Sequence, residues 1–295
     1  MSYNSGHYNL KYNHFHVTKP AEHVAHVEIN QPKTFNAFLS TTWHQYKDLI
    51  LELDADPEVK CIIISGVGPH FSSGLNLQGA IEDMSGFFKG DSHGSVVTKS
   101  ESITKNGDMY KHIVDFQDCI AATAQIGTPS IGVAHGISYG LAIDLLATTS
   151  IRLAVKKSTR FSIKEIDIGL VADIGSLQRM PALVNNKSRL NELALTAREF
   201  KGEEALELGF VSELADTKEQ ALEKALAIAK NIARHERWCI EGTKREVQFM
   251  VNGGSVNDGL DRVAIYQADH LGQEFVDGLV RLSKSMAPVK SKAKL

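Results

Sequence analysis

Residues 134–154 read AHGISYGLAIDLLATTSIRLA: the end of a buried-type strand, a glycine turn, an apolar helix and a second strand. Strand, turn, helix and strand joined without a long loop form the building unit of an α/β protein with a parallel sheet. One acid, Asp144, interrupts the helical run LAIDLLATT. Further on, FSIKEIDIGLVADIGSLQRMP (161–181) adds Glu165 and Asp173, at intervals of 21 and then 8 residues. Charged side chains are rarely placed in apolar runs unless something pairs with them or uses them. Carboxylates forced together cannot all ionise easily, so one stays protonated while another acts as a base. That division suits proton transfer at a carbon beside a carbonyl. These acids also suit helix capping, or pairing with Arg152, Lys164 and Arg179, and the acids alone leave both readings open.

Upstream, KYNHFHVTK and HVAHVEI alternate with the period of half-buried strands, and a turn follows at Gln31-Pro32-Lys33. Ser40 reads as the N-cap of a helix that places Trp43, Tyr46, Leu49, Ile50 and Leu53 on one face. CIIISG is a buried strand leading into the loop GVGPHFSSGLNLQG. Residues 85–108, rich in Gly, Ser and charge, read as an insertion or lid. A helix over about 108–125 then leads into the strand SIGVAH. Beyond the acids come short helices near LQRMPAL, NKSRLNELALT and GEEALELG, with a strand at FVSEL. After residue 216 the pattern is wholly helical. The expected division is an α/β core over 1–215, a helical region over 216–289 that packs on that core or on another subunit, and a tail over 290–295.

A chain of 295 residues with 43% hydrophobic and 23% charged content can bury a sizeable core. A net charge of −3 argues against nucleic acid as a partner, because phosphate binding draws on clustered Lys and Arg. Cys61, Cys119 and Cys239 are widely spaced, which fits inert thiols in a reducing compartment better than disulfides or a zinc site. His14 and His16 follow strand alternation and fit a surface, so no metal is expected. No run reaches the roughly 18 apolar residues of a membrane span, and the N-terminus shows no signal-peptide pattern. The chain reads as a soluble intracellular protein. It ends in Ala293-Lys294-Leu295, one residue from the Ser-Lys-Leu peroxisomal address, so peroxisomal localisation through an import receptor is the expectation.

Two motifs compete for the chemistry. Gly136-Ile-Ser138-Tyr-Gly140 matches the G-x-S-x-G nucleophile elbow, but no HGGG-type segment precedes it, and its five-residue pattern is permissive. The other reading uses more residues. Both the loop Phe71-Ser-Ser-Gly-Leu-Asn-Leu77 and the turn before Asp144 offer a backbone N–H at a helix start, where the helix dipole helps hold an enolate oxygen.

With that loop and turn, the chain resembles the enoyl-CoA hydratase/isomerase (crotonase) superfamily. INQPKTFNAF (29–38) is similar to its N-P-x-x-x-N-A turn, FSSGLNL (71–77) to its F-x-x-G-x-D-L loop, and 134–154 to its glycine turn, helix and strand. The resemblance covers roughly residues 20–215. It implies a crotonase-like spiral of repeated ββα units with a helical C-terminal region, an acyl-CoA thioester substrate, no separate cofactor, and a homotrimer or homohexamer. Hydratases of the superfamily use two acids, at the positions of Asp144 and Glu165. The segment KEIDIGLVADIGSLQRMP, with a third acid, resembles Δ3,5-Δ2,4-dienoyl-CoA isomerase.

That resemblance implies that Glu165 and Asp173 carry a proton between C2 and C6 while Asp144 assists, with the thioester oxygen held by the N–H groups of Leu75 and Leu141. It implies CoA or acyl contacts at Lys33, Ser73, Gly74, Leu77 and Gly140. The alternatives are an enoyl-CoA hydratase or Δ3,Δ2-enoyl-CoA isomerase of the same fold, or a catalytically silent acyl-CoA-binding scaffold. Departures from the pattern are Leu141-Ala142 where glycine is usual, Asn76 in place of Asp, and one extra residue between Asp144 and Glu165, placed in VKKSTR.

Overall fold

The computed structural model describes residues 5–84 and 107–285. Most of the expected lid (85–106), and the terminal Ala293-Lys294-Leu295, lie outside the described residues. The strands in chain order are β1 (Phe15–Ala21), β2 (Val24–Ile29), β3 (Cys61–Gly66), β4 (Ser130–Ala134), β5 (Ile137–Tyr139), β6 (Ile151–Val155), β7 (Arg160–Ser162), β8 (Phe200–Lys201) and β9 (Glu213–Ala215). The helices are α1 (Ser5–Lys11), α2 (Ser40–Ala55), α3 (Leu77–Met84), α4 (Gly107–Gln125), α5 (Leu141–Thr148), α6 (Ser176–Leu183), α7 (Lys187–Thr196), α8 (Gly202–Glu207), α9 (Lys218–Ala233), α10 (Arg237–Val251), α11 (Val256–His270) and α12 (Gln273–Ser285).

A six-stranded sheet runs β1-β2-β3-β4-β6-β9, parallel except for the opening β1–β2 pair. A second sheet runs β5-β7-β8. The chain passes from one sheet to the other at β4–β5 and again at β6–β7, and a helix follows each crossing. This is the ββα spiral expected above. The corner between β4 and β5 needs Gly136, at φ +55, where a Cβ would lie 2.0 Å from the Pro69 carbonyl oxygen.

CIIISG is buried on both faces, as a central parallel strand must be. Alternate residues Cys61 and Ile63 face a core shared with α9, and Ile62 and Ile64 face the larger core. The α2 face forms as expected, with Trp43, Tyr46, Leu49, Ile50 and Leu53 buried. Its cap differs. Helix α2 starts at Ser40, Leu39 is the N-cap residue, and the Thr42 hydroxyl accepts the Leu39 N–H at 3.2 Å. The FVSEL strand is shorter than expected, since Phe210 and Val211 precede β9 and pack in the core.

The chain separates into two compact units, Met1–Lys244 and Arg245–Leu295. Helix α9 belongs to the first unit through its small-residue face. Ala221, Ala225, Ala229 and Ala233 recur every fourth residue and pack on the six-stranded sheet. An alanine stripe lets the helix approach closely, so Ala225→Leu will overpack that layer. The expected loss is about 1–3 kcal/mol in a urea unfolding curve, without loss of fold. In the second unit, Val256, Leu260, Ile265, Phe275, Val276 and Leu279 are exposed. Among the described residues no helix is long and apolar enough to cross a membrane.

Candidate active site

Asp144 sits in the first turn of the fully buried helix α5. Its Oδ1 accepts the backbone N–H of Ser176 at 2.5 Å and the Ser176 hydroxyl at 2.6 Å. Ser176 begins α6, so its N–H has no partner inside its own helix, and the helix dipole favours a negative group there. Burial, and then the charge of Glu165, push the Asp144 carboxyl up to about 7 against those hydrogen bonds. Glu165 opens a short 3-10 turn, Glu165–Ile168, that Gly169 closes in a left-handed conformation. Its Oε2 is buried without a hydrogen-bond partner, and burial followed by the charge of Asp173 raises its pKa. Asp173 lies in the irregular stretch before α6, half-buried, with its pKa raised by burial and opposed by His112. The Gln117 side chain on α4 donates to the Asp173 carbonyl at 2.6 Å.

The fold therefore brings the three acids into one electrostatic neighbourhood, and all three are raised rather than split in direction. Among the described residues none of them is in an ion pair. Arg152 donates to the carbonyls of Phe210 and Thr149, both at 2.6 Å, and Lys164 to Asp167 at 2.9 Å. Arg179 Nε is buried with no acceptor, 3.2 Å from where a Gly175 Cβ would lie, and its charge feels Asp144. The capping alternative holds only for Asp144, which serves the start of α6.

A stability consequence follows from the raised Asp144. Between its ordinary value of 3.8 and about 7, the folded chain holds a proton that the unfolded chain has released. Stability therefore falls as pH rises through that window, and Glu165 acts with the same sign. Asp144→Asn cannot ionise, yet it still offers Oδ1 to Ser176. It will raise the pH 8 stability by roughly 1–4 kcal/mol, and the gain will shrink towards pH 4. Thermal unfolding of both proteins across that range checks this.

The second part of the site is backbone. Gly140 joins β5 to α5 at φ +52; its N–H donates to the Ser162 carbonyl at 2.9 Å, and a Cβ there would sit 3.1 Å from Glu165 Oε1. The 71–77 loop runs beside 135–141: Phe71 N–H donates to His135 O at 2.8 Å, and Tyr139 N–H to Ser72 O at 3.2 Å. Gly74, at φ +95, lies so close that a Cβ would meet Tyr139 O at 2.7 Å and Leu141 N at 3.5 Å. Leu75 and Leu141 thus occupy adjoining turns, and among the described residues neither N–H has an acceptor. The Leu141 side chain finds its room in the main core. Asn76 does what an Asp would do at that place, accepting the Gly79 N–H at 3.0 Å at the start of α3.

Lys33 is exposed on the 3-10 turn Pro32–Thr34, and Leu77 is exposed at the start of α3. Ser73 spends its N–H on Phe35 O at 2.9 Å. The carbonyls of Ser72 and Gly74 are used inside the fold, whereas those of Ser73 and Leu75 receive no donor among the described residues. Sequence reasoning missed Asn36, which is fully buried and ties Val67 O and His70 O at 3.0 and 2.8 Å. It also missed Ser176 and Gln117. The Gly175-Ser176 pair ahead of an apolar helix was the available signal for Ser176. The nucleophile-elbow reading fails: Ser138 is buried within β5, and its Oγ meets no partner, histidine included.

The model of the enoyl-CoA hydratase/isomerase family matches residues 19–255. The chain belongs to that family. It is 30% identical over 261 residues to the Δ3,5-Δ2,4-dienoyl-CoA isomerase named mitochondrial of Homo sapiens, covering 88% of this chain and 76% of that protein. It is 34% identical over 249 residues to the isomerase of that name, peroxisomal, of Arabidopsis thaliana, covering 83% and 84%. In fold, this family member is similar to the crystal structure of an enoyl-CoA hydratase from Bacillus anthracis, with a TM-score of 0.77 at 18% identity over 94% of this chain and 98% of that one.

Proposed function

We propose that this family member converts 3,5-dienoyl-CoA to 2,4-dienoyl-CoA. The observation that carries the reading is the third acid, Asp173, held close enough to Asp144 and Glu165 for the charges to act on one another. Hydration brings acid and base to bear on one water, whereas moving two double bonds takes a proton from C2 and delivers one to C6. A third acid, beyond the two that hydration uses, suits the second task. In this reading the Leu75 and Leu141 N–H groups hold the thioester oxygen as the C2 proton leaves and negative charge develops there. Glu165 and Asp173 take and give the proton, and Asp144, tuned near neutrality, sets the charge of the cluster. CoA is part of the substrate and no other cofactor takes part. Lys33, together with the Ser73 and Leu75 carbonyls, would meet the CoA portion. The names of the human and Arabidopsis relatives support the same reaction.

The exposed apolar side chains of the second unit support assembly into a homotrimer or homohexamer, and the name of the peroxisomal Arabidopsis relative supports a peroxisomal location. The test of the reaction is a paired assay. A rise in conjugated-diene absorbance from 3,5-dienoyl-CoA supports isomerisation. Turnover of 2-enoyl-CoA alone makes the protein a hydratase, and binding of both esters without turnover makes it a scaffold.

A further inference from the structure

Away from the acids, helices α2 and α4 lie side by side, joined by the Lys47–Asp118 ion pair and by the Tyr46 hydroxyl against Thr123. Along the same seam stand His44 on α2 and Asp115 and Cys119 on α4. Asp115 and Cys119 are four residues apart and so share one helix face. The His44 ring nitrogen, an Asp115 carboxylate oxygen and Cys119 Sγ all lie within 4.8 Å of one another.

The histidine is oriented as a ligand would be. His44 Nδ1 is 2.8 Å from the Ser40 carbonyl oxygen, which can only accept, so Nδ1 carries a hydrogen. Nε2, the nitrogen left to offer a lone pair, faces Asp115 Oδ2 at 2.7 Å. Two lone pairs do not face each other at that distance unprovided. Either a second proton lies between them, or a cation is shared. A ring held by Nδ1–H on a carbonyl, with Nε2 presented beside a carboxylate and a sulfur, has the outer support that metal-binding histidines receive. The histidine and aspartate side chains are about half exposed, at 52% and 50%, so they can open by the few tenths of an ångström that coordination needs. The buried Cys119 sulfur forms the floor. The nearby ammonium of Lys47 is already engaged by Asp118.

We propose that His44, Asp115 and Cys119 bind a zinc-class divalent cation that clamps α2 to α4. One nitrogen, one oxygen and one sulfur leave a fourth tetrahedral position for water. On binding, the thiol proton and the proton between His44 Nε2 and Asp115 pass to solvent as the metal bonds form, and no oxidation state changes. Helix α4 also carries Gln117, which holds the Asp173 backbone, so the clamp steadies one wall of the acid site without touching reacting atoms. The inference is independent of the proposed reaction. It departs from the expectation of inert thiols, because His44 and Asp115 are 71 residues apart in sequence and no short motif joins them.

Cobalt(II), added to the full chain after chelation, is the probe. The expected result is one equivalent bound, with tetrahedral visible bands and a thiolate-to-cobalt charge-transfer band, all displaced by zinc. Cys119→Ser and His44→Gln will both abolish the charge-transfer band, while Cys239→Ser, at an exposed thiol elsewhere, will keep it. Because Cys119→Ser changes a buried position, His44→Gln at an exposed position is the deciding variant. Zinc will raise the Tm of the unaltered chain but not of His44→Gln. A six-coordinate aqueous cobalt spectrum, or a thiolate band that survives His44→Gln, overturns the proposal.

Discussion

Asp173→Asn will lower the isomerisation rate by about 10²–10⁴-fold, the usual worth of a positioned general base. The substitution keeps the shape of the side chain and removes its ability to take a proton. The backbone of residue 173 stays anchored through its carbonyl to Gln117, so the surrounding loop has no reason to move. One negative charge also leaves the cluster, which relieves Glu165, whose raised pKa owes part of its shift to Asp173. Stability should therefore hold or rise while turnover collapses. Affinity for a non-reacting acyl-CoA should persist within a few-fold, because the substitution removes a charge and leaves the shape of the side chain unchanged. Steady-state rates on a 3,5-dienoyl-CoA, together with calorimetric binding of a saturated acyl-CoA, separate these effects. Near-normal turnover would return the chemistry to Asp144 and Glu165, as in a hydratase.

The second large effect is expected at Gly74. A methyl group there meets the Tyr139 carbonyl oxygen at 2.7 Å, and the backbone is at φ +95, a region that L side chains rarely adopt. Neither strain is relieved by a flexible side chain, since the opposing atom is backbone. Gly74→Ala must push the 71–77 loop away from the 139–141 turn and so separate the Leu75 and Leu141 N–H groups. Loss of one such donor costs about 10²–10³-fold in kcat. The core beneath is unchanged, so far-ultraviolet circular dichroism should match the parent chain. A Gly74→Ala protein with unaltered kcat would show that these two N–H groups do not share the developing negative charge.

Much of this architecture was legible in the residues. CIIISG, SIGVAH and IRLAV are runs of β-branched and apolar residues because parallel strands are covered on both faces. The 3.6-residue pattern of α2 is equally plain. What escaped was short or long-range. β7 and β8 are three and two residues long, below any usable period, yet β7 pairs with β5 beside the Gly140 turn. The start of α2 was misread because Ser40 looks like a cap while Thr42, two residues on, makes the bond. The packing of α9 on the sheet was not legible, because an alanine stripe marks a helix without saying what it packs against. Asp144, Glu165 and Asp173 stood out as acids in apolar sequence. Their convergence depends on the Ser176 bonds at the head of α6 and on Gly140, and neither is visible as chemistry in one dimension.

The most direct test that the three-acid site takes a proton from C2 and delivers one exchanged with solvent to C6 is a turnover of 3,5-dienoyl-CoA in deuterium oxide, with the product read by mass spectrometry and proton NMR. The expected product is a 2,4-dienoyl-CoA that carries solvent deuterium at C6, formed by the unaltered chain and lost in Asp173→Asn. A 3-hydroxyacyl product, or a conjugated diene that still gains deuterium at C6 in Asp173→Asn at an unchanged rate, would contradict it.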